Sequence, residues 1–142
     1  MKNFYTALMT KFNATVAGSH NTFWTAVGGR LYQGIAPQGT PYLYAVFGHV
    51  NDNQIDTFSN KMDDVIIQFS IFSDKSSSAD IHDAMTYLKS LFDDCSLTVS
   101  GGTLVSFNRL NDGLEPDEVD TLSGIQIIWH FHVDYRAVFE RS

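Results

Sequence analysis

The run DVIIQFSIFSDKSSSADIHDAMTYLKSLFDD, residues 64–94, sets two hydrophobic periods side by side. In its first ten residues Val65, Ile67, Phe69 and Ile71 alternate with Ile66, Gln68, Ser70 and Phe72, the period of a strand with one wholly apolar face. After Ser76-Ser77-Ser78 the period changes. Ile81, Ala84, Met85, Leu88, Leu91 and Phe92 fall on one helical stripe, behind a serine N-cap, with Asp80 and Asp83 placed to suit the helix dipole. A strand whose apolar face is followed at once by an amphipathic helix predicts a sheet with helices on one side.

Upstream, residues 3–17 predict another amphipathic helix, with Phe4, Leu8, Phe12 and Val16 four apart, Ala7 and Thr15 beside them, and Gly18 as the stop. TFWTAV, residues 22–27, predicts one more helical turn. The stretch GGRLYQGIAPQGTPYLYAVF, residues 28–47, holds four of the ten glycines. Those glycines read as turn positions, and Pro37 and Pro41 stiffen the entry to a strand running from Tyr42 to Val50. Asn51-Asp52-Asn53 then predicts a turn.

Downstream, Leu97 to Val99 and Thr103 to Leu110 read as strand material broken by Gly101-Gly102. NDGLEPDEVDT, residues 111–121, carries five acids and no base and reads as an exposed hairpin connection with Gly113 and Pro116 as breakers. A long alternating strand closes the chain, with Ile125, Ile127, Trp129, Phe131, Val133, Tyr135 and Ala137 on one face. The element order predicts one α+β domain over residues 1–142, a mainly antiparallel β-sheet with an N-terminal helix and a central helix packed on one face.

A net charge of -7 argues against a nucleic-acid binder, which needs a cationic surplus to displace counterions. Cys95, the single cysteine, excludes an intrachain disulfide framework and suits a reducing cytosol. The N-terminal MKNFYTALMTKF has no signal-peptide core, and no apolar run reaches membrane-spanning length, so no membrane partner is expected.

The chemistry-bearing residues make no catalytic set. His130 and His132 share a strand face that Asp134 extends, and His49 is the third ligand a metal site would recruit. The simpler reading is the polar side of an alternating strand. The acidic stretch lacks the DxDxDG order of a calcium loop, and the glycines match neither GxGxxG nor GxxxxGKS. Asp93-Asp94 beside Cys95 disfavour a thiolate, so the cysteine reads as a core-edge residue. Asp63-Asp64 and Asp93-Asp94, at the ends of regular elements, read as solvated. No cofactor is expected. What remains is an apolar surplus: Ile66 and Phe72 on the central strand, and Ile128 and Val138 on the last, lie opposite the apolar face. Either helices cover both faces in part or, as the small number of predicted helices favours, the sheet meets another subunit by self-association.

The segment AVGGRLYQGIAPQGTPYLYAVF resembles the start of phage tail completion, or tail terminator, proteins through Gly29, Arg30, Leu31, Tyr32, Ala36, Pro37, Gln38, Gly39, Pro41 and Tyr42. The likeness continues through the central strand and helix to IQIIWHFHVDYR, and so spans about residues 3–136; the longer, more acidic stretch at 108–121 departs from it. The resemblance implies a non-enzymatic virion protein of a long-tailed phage or prophage, made in the bacterial host cytoplasm and placed at the head-tail junction. It implies a homo-oligomeric ring, commonly a hexamer, that meets the tail tube protein and the head connector protein while DNA slides through without specific binding. The residues expected at subunit contacts are Arg30, Tyr32, Ile66, Phe72, Asp112, Glu115, Asp117, Glu118 and Ile128. Acidic rims would suit a DNA-conducting lumen by repulsion. The alternatives are a metal-binding domain or metal-dependent enzyme using His49, His130 and His132, and a monomeric ferredoxin-like binding module.

Overall fold

The computed structural model describes residues 2–56, 61–75 and 77–141. Its elements, in order, are α1 (Lys2–Asn13), β1 (Thr15–Val16), β2 (Ser19–His20), α2 (Thr22–Ala26), β3 (Leu31–Gln33), β4 (Tyr44–Asp56), β5 (Lys61–Ser73), α3 (Ala79–Phe92), β6 (Gly102–Thr121) and β7 (Gly124–Arg141). Five strands form one sheet in the order β3-β4-β5-β7-β6. Every pairing in it is antiparallel except β3 with β4, which run parallel at the edge. The fold is α+β, with the helices stacked on one face.

The strand and helix of residues 64–94 form the centre of this arrangement. Val65, Ile67, Phe69 and Ile71 are fully buried, as are Ile81, Ala84, Leu88 and Phe92 of α3. Phe69 and Phe92 stack at 4.6 Å between ring centroids, so strand and helix are joined by an aromatic contact as well as by area. Tyr135 of β7 meets Phe69 edge-on at 5.8 Å and stacks on Phe107 of β6 at 4.9 Å. Its hydroxyl donates to Asp93 Oδ1 at 2.6 Å, fastening the C-terminal end of α3 to the sheet. α1 covers the rest of the face, with Phe4 stacked on Phe139 at 5.5 Å and Tyr5 edge-on to Phe47 at 5.3 Å.

Several elements depart from the sequence expectation. α1 stops at Asn13 instead of running to residue 17. Ala17 and Gly18 both take positive φ, turning the β-branched Thr15-Val16 back against Ser19-His20 and leaving Val16 83% exposed. Asn51-Asp52-Asn53 is not a turn. β4 continues through it to Asp56, because β5 offers a full ladder of partners and a bulge between His49 and Asn51 absorbs the misfit. Leu97 to Val99 pairs with none of the described strands, although Val99 is buried. Ser78 caps α3 without a side-chain bond, and Ser77 Oγ accepts from the Ala79 N–H at 3.2 Å instead.

Residues 111–121, which read in sequence as a connection, are strand. β6 runs unbroken from Gly102 to Thr121 and turns into β7 through Leu122-Ser123 alone. Gly113 and Pro116 do not break it. Pro116 is tolerated because β6 is an edge strand, where no outer neighbour needs its missing N–H.

Candidate functional site

The sheet face away from the helices was expected to expose apolar residues. The structure covers it with its own side chains. Tyr44, Phe72 and His130 align across β4, β5 and β7, stacked at 5.2 Å and 4.5 Å. Arg136 donates to both carboxylate oxygens of Asp64 at 2.9 and 2.7 Å, and Gln68 donates to Asp134 at 3.0 Å. Ile66, Phe72 and Val138 end half-buried, and Ile128 is 6% exposed, which leaves it little area for a neighbour. Periodicity assigns a residue to a face but cannot foresee that flat polar side chains will lie across it.

Three of the four paired carboxylates are likewise engaged rather than solvated, while Asp94 is exposed as expected. Asp63 pairs with Arg141 at 3.2 Å and Asp64 with Arg136; Asp93 accepts from Tyr135 and lies 3.6 Å from Arg109. The Arg136 guanidinium holds Asp64 below the usual carboxylate range.

The histidines fall on opposite sides of the sheet. His49 follows Ala45 and Phe47 on the helix face, where its ring nitrogen Nδ1 pairs with the Tyr5 hydroxyl and its backbone N–H donates to the same oxygen at 3.1 Å. His130 and His132 lie on the other face. Among the described residues no group of three or more His, Cys, Asp or Glu is placed to hold a metal ion. Burial pushes His130 below the ordinary histidine range despite Asp117, whose carboxylate lies 3.9 Å from Nδ1. Burial also pushes the Cys95 thiol up to about 11.

Arg30 and Tyr32 stand where β3 begins. Arg30 spends Nε and Nη2 on the Leu43 carbonyl at 3.1 and 2.7 Å, pinning the glycine- and proline-rich loop to the edge of the sheet. Gly29 supports it: φ is +73°, and a Cβ there would lie 2.7 Å from the Trp24 ring. The loop itself, residues 34–40, arches over Tyr44, Val46 and Phe72 and leaves a cleft of about 500 Å³ with Ile35 84% exposed at its mouth.

At the other edge β6 and β7 outrun the sheet. β5 pairs with β7 only as far as Trp129, whereas β6 pairs with it for five further positions, Asp117–Ile128 to Thr121–Gly124. At ~3.4 Å per residue this two-stranded projection reaches about 17 Å beyond the body. It carries Val119, Leu122 and Ile125, all exposed, beside Asp117, Glu118 and Asp120. Below it, bulges at Val105 and Leu110, Pro116 and the acids blunt the free edge of β6 against indiscriminate strand pairing. Of the acids named from sequence, Asp112 is held inside the subunit by Lys89 at 2.6 Å and Arg109 at 3.4 Å. Glu115 lies opposite His130 in the ladder, and Glu118 and Asp120 make no ion pair with any described residue.

The family model of tail completion protein gp17 matches residues 18–140. The chain belongs to the tail completion protein gp17 family. A chain of a solved structure described as the virion of a native gene transfer agent particle has the same fold, with a TM-score of 0.76 at 16% identity over 95% of this chain and 92% of that one. No curated protein sequence matches. Membership makes this tail completion protein a structural component of a phage tail, in agreement with the resemblance in its glycine- and proline-rich segment. The acidic stretch that departs from the resemblance is, in this tail completion protein, the projecting hairpin and the strand that leads into it.

Proposed function

We propose that the protein is a non-enzymatic subunit of a closed ring that terminates the tail tube and joins it to the head connector. The observation that carries this reading is the β6–β7 projection, which leaves Leu122, Ile125 and Val119 exposed beyond the end of β5. Exposed apolar residues on a two-stranded arm favour contact with another protein surface over a solvated tip. An arm on one edge of the sheet cannot meet itself in a neighbour related by rotation about a ring axis. It must meet a different patch, and that is the heterologous contact from which closed rings are built. A hexamer is the ring size the family resemblance implies. DNA then passes through the ring without a specific site, consistent with the net charge of -7.

The test is genetic and morphological. A phage or prophage whose copy of this gene is silenced should accumulate full heads and separate tails, and supplying the chain in trans should restore joined particles. Normal joined particles in its absence would overturn the reading.

A further inference from the structure

The charges of this protein are segregated along the chain. Residues 1–51 contain Lys2, Lys11 and Arg30 and not one Asp or Glu, while the remaining residues hold six bases and all sixteen acids. A net of +3 thus stands against -10. The fold converts this into a spatial separation. The acid-free segment supplies α1, α2 and β3, so it occupies the β3 edge and part of the helix layer; the hairpin of Asp117, Glu118 and Asp120 projects from the β6 edge.

The cations are not equally available. Arg30, Lys89, Arg109, Arg136 and Arg141 are all engaged within the subunit. Lys2, Lys11, Lys61 and Lys75 make no ion pair with any described residue, and of these only Lys2 and Lys11 lie in the acid-free segment. Lys2 lines a cleft of about 900 Å³ between the outer side of α1 and β3, together with Thr6, Met9, Thr10, Asn13 and Gln33. Lys11 lines the adjoining cleft, which shares Ala14 with the first and has Val16 and Leu91 in its wall. Neither cleft contains an acidic residue.

On the ring reading above, we infer that the projecting hairpin of one subunit seats on the outer side of α1 in the next copy of the same chain. Glu118 and Asp120 then face Lys2 and Lys11, and Ile125 covers Met9. The ladder puts Glu118, Asp120, Ile125 and Ile127 on the same side of the hairpin as the helix layer, which suits their packing against a neighbour's helix. The donor hairpin lies at the β6 edge, the acceptor cleft opens between α1 and Gln33 of the opposite edge strand β3, and the two carry opposite charge. Contacts between like edges are correspondingly disfavoured, which selects head-to-tail order.

The experiment is a charge swap scored by rings on tail tubes of the same phage under the electron microscope. Glu118→Lys with Asp120→Lys, and separately Lys2→Glu with Lys11→Glu, should each lower ring occupancy at least tenfold while leaving the melting transition in place. The chain carrying all four changes should regain it to within twofold. A second variant reads proximity directly: Asp120→Cys with Thr10→Cys should give an oxidation ladder of linked subunits, against a quiet background from half-buried Cys95. If wild-type chain leaves the tubes bare, the ring reading falls and this surface assignment with it. If wild-type rings form but both half-variants form them equally, if the swap fails to restore them, or if the cysteine pair does not link, only the surface assignment is overturned.

Discussion

Tyr135→Phe removes one hydroxyl from the middle of the core and leaves the ring in place. The ring is fully buried between Phe69 and Phe107, so dispersion and area are unchanged to first order. What is lost is the 2.6 Å bond to Asp93, where α3 ends. Hydrogen bonds to a charged acceptor contribute about 1.5 to 3 kcal/mol net. Asp93 is a third exposed and lies 3.6 Å from Arg109, so water and the guanidinium take over part of its solvation in the variant. The lower end applies, about 1.5 kcal/mol. For a domain of this size that is a fall in melting temperature of roughly 5 °C. Urea unfolding should return the same loss with an unchanged slope, and a cycle with Asp93→Ala should give a coupling of about 1 kcal/mol. A Phe variant as stable as the wild type, or a cycle without coupling, would show that the hydroxyl does not fasten α3 to the sheet. The bond also raises the Tyr135 pKa well above its ordinary value, after the larger effect of burial.

Three other outcomes follow from local geometry. Gly102→Ala would bring a Cβ within 2.7 Å of the Glu140 backbone carbonyl, so urea titration should register a loss of about 1 to 3 kcal/mol, whereas Gly48→Ala, with open space around it, should be neutral or slightly stabilising. Asp112→Asn should cost about 0.5 kcal/mol near neutral pH, after allowance for the exposure of the Lys89 pair. Because Lys89 and Arg109 depress the folded-state value of Asp112, that advantage is present above the unfolded carboxylate value of about 3.9 and is lost as pH falls through the folded one; stability profiles of the two proteins should converge in acid. Cys95, with its thiol pushed up to about 11, should react with iodoacetamide at pH 8 at least tenfold more slowly folded than in urea; equal rates would contradict its burial.

The residues that announce the fold are those with an uninterrupted period. Val65 to Ile71 and the α3 stripe are buried as their spacing requires, because one apolar face admits one register. The elements misread are those where pairing overrode local preference. Asn51 to Asn53 and residues 111–121 look like turns in isolation, yet each is strand because β5 and β7 supply long ladders to pair with. Val16 matched a helical stripe by spacing, but the positive φ of Ala17 and Gly18 ends that period. The projecting arm, proposed above as a subunit contact, is partly legible in the sequence. Glu118 and Asp117 were found as acids in a connection, and the connection is an arm. Leu122 and Ile125 were missed as its apolar tip. Their signal was the pair of apolar residues left at the two-residue turn once the strand is extended. The segregation of acids from the first 51 residues was also in the sequence, hidden by the net charge.

The most direct test of the central claim is electron microscopy of purified tail tubes of the same phage incubated with this protein. One closed ring of subunits is expected at a single end of each tube, and tubes so capped should join to filled heads. Bare tubes, or protein spread along the tube wall without a terminal ring, would contradict it.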